Sequence, residues 1–225
     1  MSVDIYPIQV GFDGCYLIKD KGVIMIDGGY PKKLNHFQKG IQNIPIEANE
    51  IQLMVITHGH WDHIGSAKDI QATTGAKIAM HSKEQNRLEK GLKIMPPGVT
   101  LWGRIFSKIN SVFLPLIHIP ETGVDVVIDD DGLSLTEYGI AGKVFYTPGH
   151  SPGSVSVLLD TGDAFVGDMA MNKFPLCFGP SLPIFAEESP KLIQSWQLLL
   201  DQGARTIYPA HGKPFSADIM RKALT

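Results

Sequence analysis

With 225 residues and a net charge of −3 when histidine is neutral, the chain can bury a substantial core and reads as one domain over residues 1–225. The slight acidity leaves no global cationic field to draw it to nucleic acid or anionic membranes, and no apolar run approaches the roughly eighteen residues that span a bilayer. Two cysteines, Cys15 and Cys177, lie far apart in no CxxC pair, and no basic leader precedes an apolar stretch, so a cytoplasmic protein with reduced thiols and a small-molecule substrate is expected.

The first third alternates short β-branched runs with turns: IYPIQV, CYLIKD and VIMID, the last ending at Gly28-Gly29. A meander of antiparallel strands is predicted. Pro31 opens a predicted helix to residue 40. IQLMVIT (51–57) is apolar almost throughout, as in a strand buried on both faces, and HGHWDHIG follows it at once. Residues 65–74 read as a helix closed by Gly75, KIAM as a strand, and 82–90 as another helix. In the second half, strands are predicted around VDVVID, LSLTEYGI, KVFYT, SVSVLLD and DAFVGD. A helix capped by Ser189, with Pro190 as its first residue, carries Leu192, Ile193, Trp196, Leu199 and Leu200 and stops at Gly203. TIYPA and a short helix from Ser216 onward finish the chain. Two strand-rich halves, each with helices, predict two sheets packed face to face under outer helices.

Residues 91–120 and 172–186 combine Pro and Gly breaks with many large apolar side chains. They read as irregular covers of the core and equally as the lid and wall of a substrate pocket. Within the first, Leu101, Ile105 and Ile109 recur at four-residue steps beside Trp102, Phe106 and Phe113, with Arg104 and Lys108 on another side. This amphipathic signature predicts a helix whose apolar face either lines a metal cleft or pairs two chains as a homodimer. Trp102, Phe106, His118, Met171, Phe174 and Phe178 are the candidate pocket residues.

His58, His60, Asp62 and His63 place four metal-ligand side chains in six residues directly after a buried strand. Side chains at this spacing can point two ways, His58 and His60 toward one ion, Asp62 and His63 toward a neighbour. Imidazole and carboxylate suit zinc and similar borderline ions. Farther on, His150 in TPGHSPGS, Asp168 in FVGD and His211 in YPAHG each stand at a strand end. Strand ends on one edge of a layered fold converge, so seven ligands from separate segments can share one site. Three histidines can hold one ion and Asp62, His63 and His211 the other, with Asp168 bridging. His81 reads as a helix-capping or surface residue and His36 as solvated.

This ordered set, HxHxDH, a His in a Gly-rich turn, an Asp and a final His, resembles the metallo-β-lactamase superfamily, from Asp27 in MIDGG to YPAHG. The resemblance implies an α/β (α+β) fold: a four-layer αββα sandwich of two mixed sheets flanked by helices. It also implies that His58, His60 and His150 bind the first metal, that Asp62, His63 and His211 bind the second with Asp168 between, and that Asp27 supports a ligand histidine. Asp62 in place of a Cys makes the centre similar to the glyoxalase II and lactonase branches. Met171 stands where acyl-homoserine lactonases carry a tyrosine, and the chain ends fourteen residues after His211, without the helical region in which glyoxalase II binds glutathione. Persulfide dioxygenase relatives share HxHxDH and use one iron.

The expected cofactor is a pair of zinc ions, with iron or manganese as alternatives, supplying hydroxide at neutral pH and polarising a substrate oxygen. Asp62 and Asp168 act as ligands and as the candidate proton carriers. The expected function is a dinuclear hydrolase of a small ester, lactone or thioester with an apolar portion. Its alternatives are a glyoxalase II-like hydrolase, a mononuclear iron dioxygenase and a non-catalytic metal-binding protein; six or seven ligands for two ions leave positions for water and favour catalysis.

Overall fold

The computed structural model describes residues 3–224, and within them twelve strands form two six-stranded mixed sheets. The first sheet takes β1 (Asp4–Val10), β2 (Asp13–Lys19), β3 (Val23–Ile26), β4 (Ile51–Val55), β5 (Lys77–His81) and β6 (Val126–Ile128) in chain order. β1, β2 and β3 are the predicted antiparallel meander, and β3 to β6 run parallel. Parallel neighbours need crossovers. These carry α1 (Leu34–Ile41), then α2 (Trp61–Ile64) and α3 (Ala67–Thr74), then α4 (Gln85–Glu89) and α5 (Leu101–Phe113). α3 stops where Gly75 turns left-handed at φ 75° and gives its N–H to the Gln71 carbonyl.

The second sheet is ordered β12 (Phe215–Ser216), β11 (Thr206–Gly212), β10 (Asp163–Asn172), β9 (Val155–Leu159), β8 (Gly142–Tyr146) and β7 (Leu133–Ser134). Only β10 and β11 are parallel, joined through α6 (Ser189–Asp201); α7 (Asp218–Leu224) closes the described chain. Three predicted details differ. LSLTEYGI yields a two-residue strand, because Thr136–Tyr138 coils into a 3-10 turn ending at Gly139. The helix predicted over 82–90 is confined to Gln85–Glu89. Glu188 is the residue before α6, which places Ser189 inside the helix; its hydroxyl does not cap it.

The layering follows from where the apolar side chains go. Between the sheets, Ile18, Ile24, Leu53 and Val55 meet Val144, Val157, Leu159 and Phe165. Outside the first sheet, Leu17, Met25, Met54 and Ile78 pack on Phe37 of α1 and on Ala67 and Ile70 of α3. Outside the second, Ala164, Val166 and Ile207 receive Leu192, Trp196 and Leu199 of α6. Each fully buried aliphatic side chain contributes about 1.5–3 kcal/mol. Tyr16 ties the two sheets together: its hydroxyl donates to the Pro209 carbonyl at 2.8 Å, with its ring edge-on to Phe165 and Tyr208. Among the described residues no helix is long and apolar enough to cross a membrane.

The two irregular segments pair with each other through their backbones. Val99 N–H donates to the Ile184 carbonyl at 2.9 Å and Ala186 N–H to that of Pro97 at 3.2 Å, while the second segment folds back on β10, where Met171 and Ser181 exchange both hydrogen bonds. Met171, Ile184 and Phe185 then form a small separate core with Met95, Phe106 and Leu176.

Candidate metal centre

The predicted ligands come together at one edge of the sandwich, and a local device aims each of them. After β4 the chain turns at Thr57, whose N–H donates to Asp27 Oδ1 at 2.7 Å and whose hydroxyl reaches both Asp27 oxygens at 2.9 and 3.0 Å. Asp27 follows the parallel neighbour β3, so the turns after β3 and β4 are cross-linked beside the centre. Asp168 lies inside β10 where its pairing with β11 slips, between Phe165, Gly167 and Met171. Such a bulge re-aims a side chain. Gly167 makes it feasible: its φ is 52°, and a Cβ there would lie 2.5 Å from Thr57 Oγ1.

Each of the five ligand histidines is anchored through one ring nitrogen, leaving the other for the centre. His63 Nδ1 meets Asp27 at 2.9 Å, and its Nε2 faces Asp168 at 3.4 Å. His150 Nδ1–H donates to the Phe185 carbonyl at 3.0 Å. His60 is anchored through Nε2, 3.3 Å from Glu187 Oε1, so its Nδ1 points inward and lies 3.0 Å from His150 Nε2. His211 Nδ1 lies 2.9 Å from Asp13 Oδ1, and its Nε2 is 3.3 Å from Asp168 and 3.7 Å from Asp62. His58 Nδ1 is 3.1 Å from the Thr57 hydroxyl. This is the support that metal-ligating histidines require.

Ligand atoms within 4.8 Å of one another then fall into three overlapping groups: His58, His60 and His150; Asp13, Asp62, His63 and His211; and His58, His63 and Asp168. Their polar atoms fit cations and little else. His58 Nε2, His63 Nε2 and Asp168 Oδ1 are buried with no hydrogen-bond partner, each at a cost of about 1–3 kcal/mol. His60 and His150 spend their ring protons outward, so two bare lone pairs face each other at 3.0 Å, close to the about 3.3 Å edge of a tetrahedron with metal–nitrogen bonds of about 2.05 Å.

Electrostatics divides the ligands. Burial, reinforced by neighbouring histidines, holds His58 well below the usual imidazole range and lowers His150 to about 3. Burial also opposes charge on His63 and His211, but Asp27 and Asp168 beside the first and Asp168 and Asp13 beside the second outweigh it, and both are pushed up. Asp168 is held well below the usual carboxylate range, His211 and His63 overcoming its desolvation. Metal binding at His63 and His211 would compete with protons.

Four further residues shape the site and were not singled out from the sequence. Asp13 supports His211, as described. Glu84 is fully buried and accepts from the N–H groups of Gly59 and Gly153, each at 2.9 Å, which clamps the two ligand-bearing turns together. Arg87 bonds Glu84 at 3.1 Å and forks onto both oxygens of Glu187 at 3.1 Å each. Burial alone would raise the Glu187 carboxyl; the bonds from His60 and Arg87 bring it down to about 2. Gly59 leaves room for this clamp, since a Cβ there would lie 2.6 Å from Arg87 Cδ.

Above the ligands opens a cleft of about 430 Å³ with His60, Asp62, Asp168 and His211 at its floor. Phe12, Tyr30 and Trp61 wall one part, and Met171, Phe106 and Leu176 another, with Phe174 also in the lining. Of the candidate pocket residues, Phe106, Met171 and Phe174 line this cleft. Trp102 is not in the cleft wall: its Nε1–H donates to the Pro175 carbonyl at 2.9 Å and ties α5 to the 172–186 segment. Phe178 is 96% exposed, and His118 is exposed away from the cleft. The apolar stripe of α5 also departs from its expected place over the metals, because Leu101, Ile105 and Ile109 point to solvent and only Phe106 turns inward. His81, expected as a cap or surface group, is buried, accepts from Lys83 N–H at 3.2 Å and stacks on Tyr146.

Comparison with known proteins agrees with this geometry. The model of the metallo-β-lactamase superfamily matches residues 11–211, the span that holds every ligand. The chain is 28% identical over 168 residues to the probable metallo-hydrolase YqgX of Bacillus subtilis, covering 72% of this chain and 67% of that protein. It is 27% identical over 185 residues to the hydroxyacylglutathione hydrolase GloC of Haemophilus influenzae, covering 78% and 77%. Among solved structures, the B3 metallo-β-lactamase BLEG-1 superposes with a TM-score of 0.69 at 20% identity, covering 97% of each chain. The di-iron-bound form of TTHA1623 superposes at 0.67 and 20% identity, covering 96% and 97%. At these identities the structural likeness speaks for the fold alone, and the two mixed sheets with flanking helices are that fold. With the family model running unbroken from the turn before Asp13 to His211, the chain belongs to the metallo-β-lactamase superfamily.

Proposed function

We propose that the chain is a dinuclear metal-dependent hydrolase, with zinc as the occupant, acting on a small ester, lactone or thioester with an apolar portion. The observation that carries this reading is the convergence of three overlapping ligand groups, with unpartnered buried lone pairs, at the floor of an apolar cleft. His58, His60 and His150 would hold one ion and Asp62, His63 and His211 the other, with Asp168 reaching both. Divalent ions bound there lower the pKa of water toward about 7 and polarise a substrate oxygen.

The chain's own residues do the rest. Asp27, Asp13 and Glu187 keep three ligand rings oriented, so no reorganisation is needed as charge develops. Asp62, partly exposed at the floor, and Asp168 are the carboxylates positioned to carry a proton. Phe106, Phe174 and Trp61 offer apolar contact to an acyl or alkyl group and exclude water around it. Lys173 is the only Lys or Arg among the cleft-lining residues, which gives a doubly carboxylated thiol such as glutathione little to pair with. An acyl group on a less charged leaving group fits better. Tyr30 brings a phenol to the cleft.

Elemental analysis of zinc-supplemented protein, followed by a panel of model esters, lactones and thioesters, tests this. Two ions per chain and turnover that Asp168→Asn abolishes are expected. One ion at saturation, iron with oxygen consumption on a persulfide, or no turnover on the whole panel would overturn it.

A further inference from the structure

α5 is seated the wrong way round for a helix of a soluble domain. Its inward side is made of Gly103, Ser107 and Asn110 with Phe106: Gly103 lies so close to Ile184 that a Cβ would be 2.3 Å from the carbonyl oxygen, and Ser107 Oγ–H donates to the Pro96 carbonyl at 3.1 Å. Its outward side is the apolar stripe Leu101, Ile105, Ile109 and Val112, of which Leu101 and Val112 are 77% and 71% exposed. An apolar stripe at helical spacing faces the core in most domains. Here it is continued by Phe113 and Leu116 at the end of the helix, and the Trp102–Pro175 hydrogen bond joins it to the exposed Phe174 and Phe178. A contiguous patch of this kind marks an interaction surface.

The charge of the same face says what it meets. From residue 90 to 120 and from 169 to 186 there is no Asp or Glu, while Lys90, Lys93, Arg104, Lys108 and Lys173 all lie in these segments. Arg104 and Lys108 stand exposed on α5 itself, which carries no Asp or Glu, while Lys93 and Lys173 also donate to the Pro115, Ile117 and Phe12 carbonyls, so the helix that bears the stripe is cationic in a chain that carries −3 as a whole. We propose that α5 and the 172–180 segment dock on the surface of an anionic lipid bilayer, the apolar stripe entering the acyl boundary and Arg104 and Lys108 beside it meeting acidic headgroups. A second copy of the chain fits less well, because a twofold pairing of α5 sets Arg104 and Lys108 against their own copies with no carboxylate on the helix to pair them. The whole-chain charge argued against an anionic membrane, but the local distribution reverses that argument for this one face. Phe106 and Phe174 belong both to this region and to the cleft wall, so docking turns the cleft mouth toward the bilayer. The docking does not depend on the hydrolase reading.

The test is co-sedimentation of the purified full chain with phosphatidylcholine vesicles, with and without about 30% phosphatidylglycerol, beside a sizing column. Binding at least about tenfold stronger to the anionic vesicles is expected, falling as salt rises from about 0.1 to 1 M. The double variants Ile105→Asp/Ile109→Asp and Arg104→Glu/Lys108→Glu should each lose about tenfold or more while unfolding at the wild-type temperature, since all four side chains are exposed. Equal binding to both vesicles would overturn the electrostatic half. No binding to either, whether the column shows a monomer or a dimer that Ile105→Asp/Ile109→Asp dissociates, would overturn the proposal, the second result assigning the face to a second copy.

Discussion

Replacing Glu187 with Gln removes one charge and changes almost nothing in shape, and it should weaken both the fold and the first metal position. The carboxylate accepts from three N–H groups, two on Arg87 and one on His60. An amide offers one oxygen and turns its own donors toward the rest. A carboxyl brought from an ordinary 4.5 to about 2 corresponds to a ceiling of about 3 kcal/mol of folding free energy. Breaking a buried pair costs about 3–5 kcal/mol. Glu187 retains 20% side-chain exposure while Arg87 retains 9%, so solvent returns part of that, leaving about 2–3 kcal/mol. For a chain of this size the melting temperature should fall by about 4–10 °C, and a ligand ring without its support should bind metal about 10–100-fold more weakly.

The sign of the pH dependence is determined as well. Because the folded carboxyl lies below its ordinary value, the stabilisation is complete above about 4.5 and disappears as pH falls toward about 2. Thermal unfolding of metal-free protein across that window should show a steeper acid loss in the wild type than in Glu187→Gln, and chelator competition should report the affinity change. A variant melting within about 1 °C of wild type, with unaltered metal affinity, would show that Glu187 neither holds Arg87 nor steadies His60.

Two other substitutions separate neighbouring roles. Asp13→Asn keeps an acceptor beside His211 Nδ1 but removes the buried charge that lies 2.9 Å from it; the second ion should bind about tenfold or more weakly and the first unchanged. A chelator titration with wild-type affinity in both steps would exclude Asp13 as a support. Phe106→Ala removes a cleft wall whose ring lies 6.0 Å from that of Phe185. The Michaelis constant should rise more for long acyl chains than for short ones with metal content intact, and an equal rise for both would mean that the ring supports the fold and not the substrate.

What the sequence made legible is what is local. Each of the seven ligands sits just after an apolar run or at its end, so the motif and its strand are read in one glance, as with IQLMVIT before His58. Asp13, Glu84, Arg87 and Glu187 carry no such signal. Arg87 meets Glu187 a hundred residues along the chain, and nothing near either announces the partner. α5 shows a second kind of failure. Periodicity identified its apolar stripe but not which side the protein would take, and backbone crowding at Gly103 and the Ser107 hydrogen bond decided that. In LSLTEYGI, alternation suggested a strand, but Gly139 at φ 70° lets the chain coil after two residues.

The two sheets divide the chain cleanly: every strand of the first precedes residue 129 and every strand of the second follows residue 132. Each of the three ligand groups draws on both sides of that division, joining His58 and His60 to His150, His58 and His63 to Asp168, and Asp62 and His63 to His211. No ion can be fully held until both halves have formed and met. Bound metal is thus a rivet across the seam, and its free energy is spent on the union of the halves more than on either one. Two polypeptides cut in the turn between β6 and β7 would recombine more tightly with metal than without it, because the ions add to the apolar core that already joins the sheets.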